Sequence, residues 1–266
     1  MSLVAITAGR GSRGVTAATL ALGAVWPRPP LLAECDADGG SLAASFGLSP
    51  TPGLLSLASA ARRELDPAAV TAHTQTVLGG LDVLLAPPTA EQAEGLGRFW
   101  PTLAPMLGAL DIDVLADCGR LRPHSPTLEL LRRSDLVVLL AEPTPDGLEQ
   151  LRGRLAALEA AGLRPTVVLR GERPYTSVEA QAWLAGEGLA APVAGVLADD
   201  KRRVAELLAG EPGWRRRLHR SLLLRSARVI AEQLRERLDA TEPAPSAHAP
   251  PAARPAHSEL AGEVDR

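Results

Sequence analysis

A short apolar run, Leu3-Val4-Ala5-Ile6-Thr7, leads into Gly9-Arg10-Gly11-Ser12-Arg13-Gly14-Val15-Thr16-Ala17-Ala18-Thr19, which opens an apolar helix from Leu20 to Trp26. Strand, glycine-rich turn and helix in immediate succession commit the chain to a βα unit. Glycines let main-chain N–H groups converge, and the helix N-terminus adds partial positive charge, so the same turn is suited to cradling phosphate. The structural alternative is a glycine turn that only brings a helix close to a sheet.

A working phosphate loop follows G-x-x-x-x-G-K-[ST], with a lysine on the phosphates and a hydroxyl on Mg²⁺. Two registers of that pattern fit here. Gly11 to Ala18 puts Thr16 at the second glycine, Ala17 at the lysine and Ala18 at the hydroxyl residue. Gly9 to Thr16 keeps both glycines and the terminal Thr but puts Val15 at the lysine. Neither register has the cation, and the whole chain holds one lysine, Lys201.

The 266 residues fit one large domain with appendages, and 46% hydrophobic with 22% charged residues are globular values. Aromatic residues make up only 3%, so the core must be built from Leu, Val and Ala. A net charge of −3 gives no bulk signal for a polyanionic partner. Cys35 and Cys118 are the two cysteines, each beside apolar strand residues. They predict buried thiols in a reducing compartment rather than a disulfide framework or zinc site. With no apolar run of membrane-spanning length and no leader pattern, the expected location is cytoplasmic.

Strand-like and helix-like segments alternate through most of the chain. Leu31 to Cys35, Asp113 to Asp117, Leu136 to Ala141, Thr166 to Leu169 and Pro192 to Leu197 read as buried strands. Thr74 to Leu78 and Leu81 to Ala86, split by Gly79-Gly80, predict a hairpin. Leu148, Leu151, Leu155 and Leu158 mark one buried helix face. Leu223, Ala227, Ile230, Leu234 and Leu238 mark another, within a long helix expected from Trp214 to Leu238. The predicted class is α/β, a mostly parallel twisted sheet with helices on both faces. One domain is expected over 1–239, followed by a disordered Pro/Ala-rich tail over 240–266.

In such sheets ligands bind beyond the carboxyl ends of the strands. The glycine turn, Asp36/Asp38 and Asp117 all fall there. An acid closing an apolar strand, as in Val114-Leu115-Ala116-Asp117, is suited to holding a magnesium ion through water; the plain alternative is an Asp capping a turn. Asp36 is placed to orient an attacking water, and Asp38 reads as a turn residue.

The order of these motifs resembles the ParA/MinD family of P-loop ATPases, from about Leu3 to about Leu238. Matching segments are Gly11 to Thr16 opening Thr19-Leu20-Ala21-Leu22, Leu32 to Gly40, Asp113 to Asp117, Asp135 to Pro143, and Pro192 to Asp200. The resemblance implies the P-loop fold, ATP with Mg²⁺ as cofactor, and a switch that dimerises and positions cargo through protein partners. It assigns nucleotide contacts to Gly11, Ser12, Arg13, Gly14, Val15, Thr16, Ala17, Ala18, Thr19 and Asp199, the metal to Asp117, and catalysis to Asp36. In the Gly11 register Ala17 and Ala18 stand at the family's lysine and hydroxyl positions, and Arg10 or Ser12 stands near its second, signature lysine. These departures are similar to degenerate members such as the TadZ/CpaE-type proteins. They imply a spatial-organisation or regulatory module with weak or no hydrolysis. Two rival readings remain: a slow ATPase with Arg10 or Arg13 in place of lysine, and a DNA- or membrane-surface binder through Arg215, Arg216, Arg217, Arg220, Arg225 and Arg228.

Overall fold

The computed structural model describes residues 1–9, 13–61, 67–77, 79–211 and 213–241. The elements in order are β1 (Leu3–Ala8), α1 (Arg13–Val25), β2 (Leu31–Glu34), α2 (Leu42–Phe46), α3 (Leu54–Ala61), α4 (Ala68–Ala72), β3 (Gln75–Val77) and β4 (Leu81–Leu84). Then come α5 (Ala90–Gly95), a single 3₁₀ turn, α6 (Trp100–Gly108), β5 (Val114–Arg120), α7 (Leu128–Arg133), β6 (Leu136–Ala141) and α8 (Pro145–Ala160). The chain ends with β7 (Thr166–Arg170), α9 (Ser177–Gly186), β8 (Val193–Leu197), α10 (Lys201–Ala209), α11 (Trp214–Leu218) and α12 (Leu222–Thr241).

The eight strands form one sheet in the order β3-β4-β2-β5-β1-β6-β7-β8. All neighbours are parallel except β3 with β4, the hairpin expected at Gly79-Gly80. From β1 the chain runs out to β2 on one side, returns through β5, and then crosses to β6 on the other. That reversal beside β1 opens a crevice at the strand ends, where α/β folds place their ligands.

The sheet separates two apolar layers. Leu3 and Ala5 of β1 point into one with α3, α6, α8 and α9; Val4, Ile6 and Ala8 point into the other with α1, α11 and α12. This is the two-residue alternation of a strand covered on both faces. The leucine stripe of α8 and the stripe from Leu223 to Leu238 are both buried as their spacing predicts.

Three boundaries differ from expectation, the first being β5, which runs past Asp117 to Arg120 instead of closing on that acid. The first helix begins at Arg13, not Leu20, so residues 14 to 19 are its first turns. Ala17 and Ala18 are strong helix formers, and glycine at 14 lies too near the start to prevent helix formation. The long C-terminal helix is broken between Leu218 and Leu222, where Ser221 donates its N–H to Leu218 O. Trp214 is fully buried, and Arg215 donates to Gly79 O at 2.6 Å and Ala24 O at 2.9 Å. Arg217 pairs with Glu211. Two members of the expected arginine surface are therefore engaged within the chain. Among the described residues no helix is long and apolar enough to cross a membrane. The expected tail, 240–266, lies outside the described residues from 242 onward.

Asp113 ties the two ends of the domain together. Its buried carboxylate accepts from Ser2 N at 3.0 Å, Trp26 Nε1 at 3.0 Å and Arg235 Nη1 at 3.2 Å. Asp113→Ala leaves the indole N–H of Trp26 without its acceptor and takes one partner from Arg235, which keeps Asp239, and is expected to cost about 1–3 kcal/mol in denaturant unfolding. Arg28 reaches the same carboxylate only at 3.7 Å and is 55% exposed. Arg28→Ala is expected to cost less than about 1 kcal/mol.

Candidate functional site

Period-two alternation explains how the acids meet. Leu32 and Leu115 face the α1 side of the sheet, so Glu34, Asp36 and Asp117 face it too. β5 lies between β2 and β1, with Asp117 level with Glu34 on one side and Ile6 on the other. The start of α1 descends onto this spot. Its first N–H groups have no helical carbonyl four residues back to accept them.

Asp117 is 2% exposed. Its Oδ1 accepts from Gly119 N at 2.9 Å, while Oδ2 is buried without a hydrogen bond. Burial pushes its pKa from 3.8 up to about 7. The Thr16 hydroxyl beside it and the Gly119 N–H pull the other way, and the charges of Glu34 and Asp36 add to the rise. A buried carboxylate oxygen without a donor is costly, and it is the deficiency that a cation relieves.

Asp36 is 6% exposed, with its pKa raised to about 6 by burial against the opposing pull of Arg122. It stands against Gly119, where an added Cβ would lie 2.1 Å from the carboxyl carbon. Gly119 also has φ of +57°, so both space and backbone call for glycine. Asp38 pairs with Arg122, and its N–H donates to Asp36 Oδ1 at 2.9 Å. It is a turn residue, as its position predicts.

Of the turn residues, Thr16 is the one carried to Asp117. Val15 is fully buried and Ala18 is 1% exposed, both in the apolar layer on the α1 side. Ala17 is also buried. The hydroxyl facing the acid therefore belongs to the Gly9–Thr16 register, and the Gly11 register, with Ala17 and Ala18 at the lysine and hydroxyl positions, is set aside. Thr19 lies one helical turn on, and its buried Oγ1 has no hydrogen bond. Arg10, Gly11 and Ser12 lie outside the described residues, as does the Arg13 side chain. Asp199 is not near the acids. It is exposed and lines a cavity of about 1,210 Å³ with Gly171, Asp200 and Lys201, while Asp200 caps α10 by accepting from Arg203 N at 3.1 Å.

A second cavity of about 870 Å³ lies at the crevice beside β1. Ala8, Gly9 and Gly14 form one wall, with the end of β6 and the start of α8 opposite.

Glu34 was not anticipated. Its carboxylate is buried and accepts the N–H groups of Ser41, Leu42 and Ala86 at 2.7, 3.0 and 3.0 Å, with burial raising its pKa. It shapes the loop behind Asp36. The available signal was an acid two residues before Asp36 within an apolar strand.

Solved structures share this fold. A ParA family ATPase from Chlorobium tepidum superposes with a TM-score of 0.66 at 16% identity, over 88% of this chain and 97% of its own. The septum site-determining protein MinD from Pyrococcus horikoshii, complexed with Mg-ADP, gives 0.64 at 16% over 90% and 98%. A chain of the MinC:MinD cell division protein complex of Aquifex aeolicus gives 0.65 at 16% over 89% and 96%. This chain has the fold of the ParA and MinD ATPases. No protein-family model and no curated protein matches the sequence.

The acids set a pH dependence. Folded Asp117 and Asp36 hold protons that the unfolded chain releases near pH 4. Stability is therefore expected to fall as pH rises from about 4 to about 7. Asp117→Asn, which stays neutral, is expected to gain about 1–3 kcal/mol at pH 8 and nothing below pH 4. Urea unfolding across that range checks the sign.

Proposed function

We propose that this chain is a ParA/MinD-like nucleotide-binding module that binds ATP with Mg²⁺ weakly, hydrolyses it slowly or not at all, and acts in spatial organisation through protein contacts. The observation that carries the reading is the Thr16 hydroxyl beside Asp117, a buried acid with one oxygen left without a hydrogen bond, at the start of α1.

The residues present fit a magnesium nucleotide. Mg²⁺ is usually held by one or two protein groups together with substrate phosphates, not by an all-protein cage. Among the described residues no group of three or more His, Cys, Asp or Glu side chains could hold a metal ion by itself. When bound, the metal supplies positive charge to the β- and γ-phosphates. Thr16 and Asp117 would hold it, and the free N–H groups at the start of α1 would take phosphate oxygens. Asp36, with a pKa near 6, is mostly ionised at neutral pH and able to accept a proton from water.

Val15 takes the lysine's place in the Gly9–Thr16 register and is fully buried, so the turn brings no lysine to the phosphates. Loss of one such charge stabiliser typically costs about 10²–10³ in rate. Slow turnover follows from that missing charge, and a positioning role through partners follows by analogy of fold.

Calorimetric titration with Mg-ATP tests the reading. The expected dissociation constant is on the order of 0.1 mM, with binding lost in Thr16→Val and in Asp117→Asn. Absence of heat in the wild type, or binding indifferent to Thr16→Val, would overturn it.

A further inference from the structure

Two arginines from the far wall of the crevice reach the glycine turn. A Cβ built on Gly14 would lie 2.9 Å from Arg170 Nη1, so that guanidinium rests against the first turn of α1. A Cβ built on Gly9 would lie 2.9 Å from Arg154 Cγ and 3.8 Å from its Nε. Arg170 ends β7, and Arg154 sits in the middle of α8. Both line the 870 Å³ cavity, together with the acids Glu142 and Asp146.

Their partners differ. Arg170 pairs with Glu142. Half-buried Arg154 has no carboxylate partner among the described residues. Asp146 sits in the first turn of α8, where the helix dipole already favours its charge.

Resting on the nucleotide reading above, we propose that Arg154 and Arg170 form a clamp for the polyphosphate of the bound nucleotide, replacing the cation that the turn lacks, with Glu142 holding Arg170 until the ligand arrives. Guanidinium groups match phosphate oxygens in pairs and keep their charge at any physiological pH. The side chains of Arg170 and Glu142 are 39% and 51% exposed. An ion pair so open to water shifts an equilibrium by only a few-fold. A polyphosphate carries several charges on oxygens of the same geometry and displaces it. Arg170, Glu142 and Thr144 also line the 1,210 Å³ cavity that includes Asp199, so releasing the pair joins the two spaces into one trough for the rest of the ligand.

The test titrates wild type, Arg154→Ala, Arg170→Ala, Arg170→Lys and Glu142→Gln with Mg-ATP, inorganic tripolyphosphate and adenosine. Arg154→Ala and Arg170→Ala are expected to weaken ATP and tripolyphosphate by about tenfold or more, with Arg170→Lys intermediate. Glu142→Gln is expected to tighten both several-fold, a gain that damaged packing would not give. Unchanged ATP affinity in both alanine variants overturns the clamp and leaves the nucleotide reading standing. Arginine-dependent binding of tripolyphosphate without ATP binding keeps the clamp and overturns the nucleotide reading. Binding of neither ligand by wild type overturns both, and binding of adenosine without tripolyphosphate overturns the clamp.

Discussion

One buried carboxylate governs the geometry of this crevice. Asp117 sits in the middle of the sheet with Gly119 satisfying one oxygen and nothing satisfying the other. Burial and two neighbouring acids disfavour its charge, so without a cation it keeps its proton well above the usual carboxylate range. The fold keeps this costly arrangement because the strand order forces it. β5 lies between β1 and β2, so Asp117 within β5 and the acids at the end of β2 face the start of α1 together. The residues around them serve that meeting: glycine at 119 leaves room for Asp36, and Glu34 fixes the loop that follows it.

On the proposed reading, a site with acids for a metal and amides for phosphate, but a valine where lysine is expected, is unbalanced in charge. The arginines at 154 and 170 stand on the opposite wall and approach the same turn. Supplying cation from β7 and α8 rather than from the loop changes the character of the site. A lysine in the loop is attached to the amides that hold the phosphate. An arginine tied to Glu142 must first change partner, which links ligand binding to a rearrangement at the end of β6. Such a partner exchange suits a switch better than a fast catalyst.

Most of the architecture was legible in the sequence because burial on both faces leaves a strong signature. Leu31 to Cys35 and Leu136 to Ala141 read as strands without ambiguity, and the leucines of α8 and α12 fell on the faces their spacing required. The site was legible in part. Asp36 and Asp117 stood out as acids closing apolar strands. The register of the turn did not, since alanine and threonine fit a helix equally well and only the sheet shows which residue reaches Asp117. Glu34 was hidden inside an apolar run. Arg154 and Arg170 were invisible for a different reason: they lie some 140 and 156 residues beyond Gly14, and the contact exists only once β6 pairs with β1 and brings β7 and α8 with it. The break before α12 was missed because apolar spacing continues across it while Ser221 turns the backbone.

The central claim is that the start of α1 holds a magnesium-bound triphosphate against Asp117. Hydrogen exchange of the amides of Gly14, Val15 and Thr16, followed with and without Mg-ATP, tests this most directly. The account predicts that these three amides and that of Gly119 slow on addition of Mg-ATP and recover when the metal is chelated. Unaltered exchange at the start of α1 under saturating Mg-ATP would contradict it.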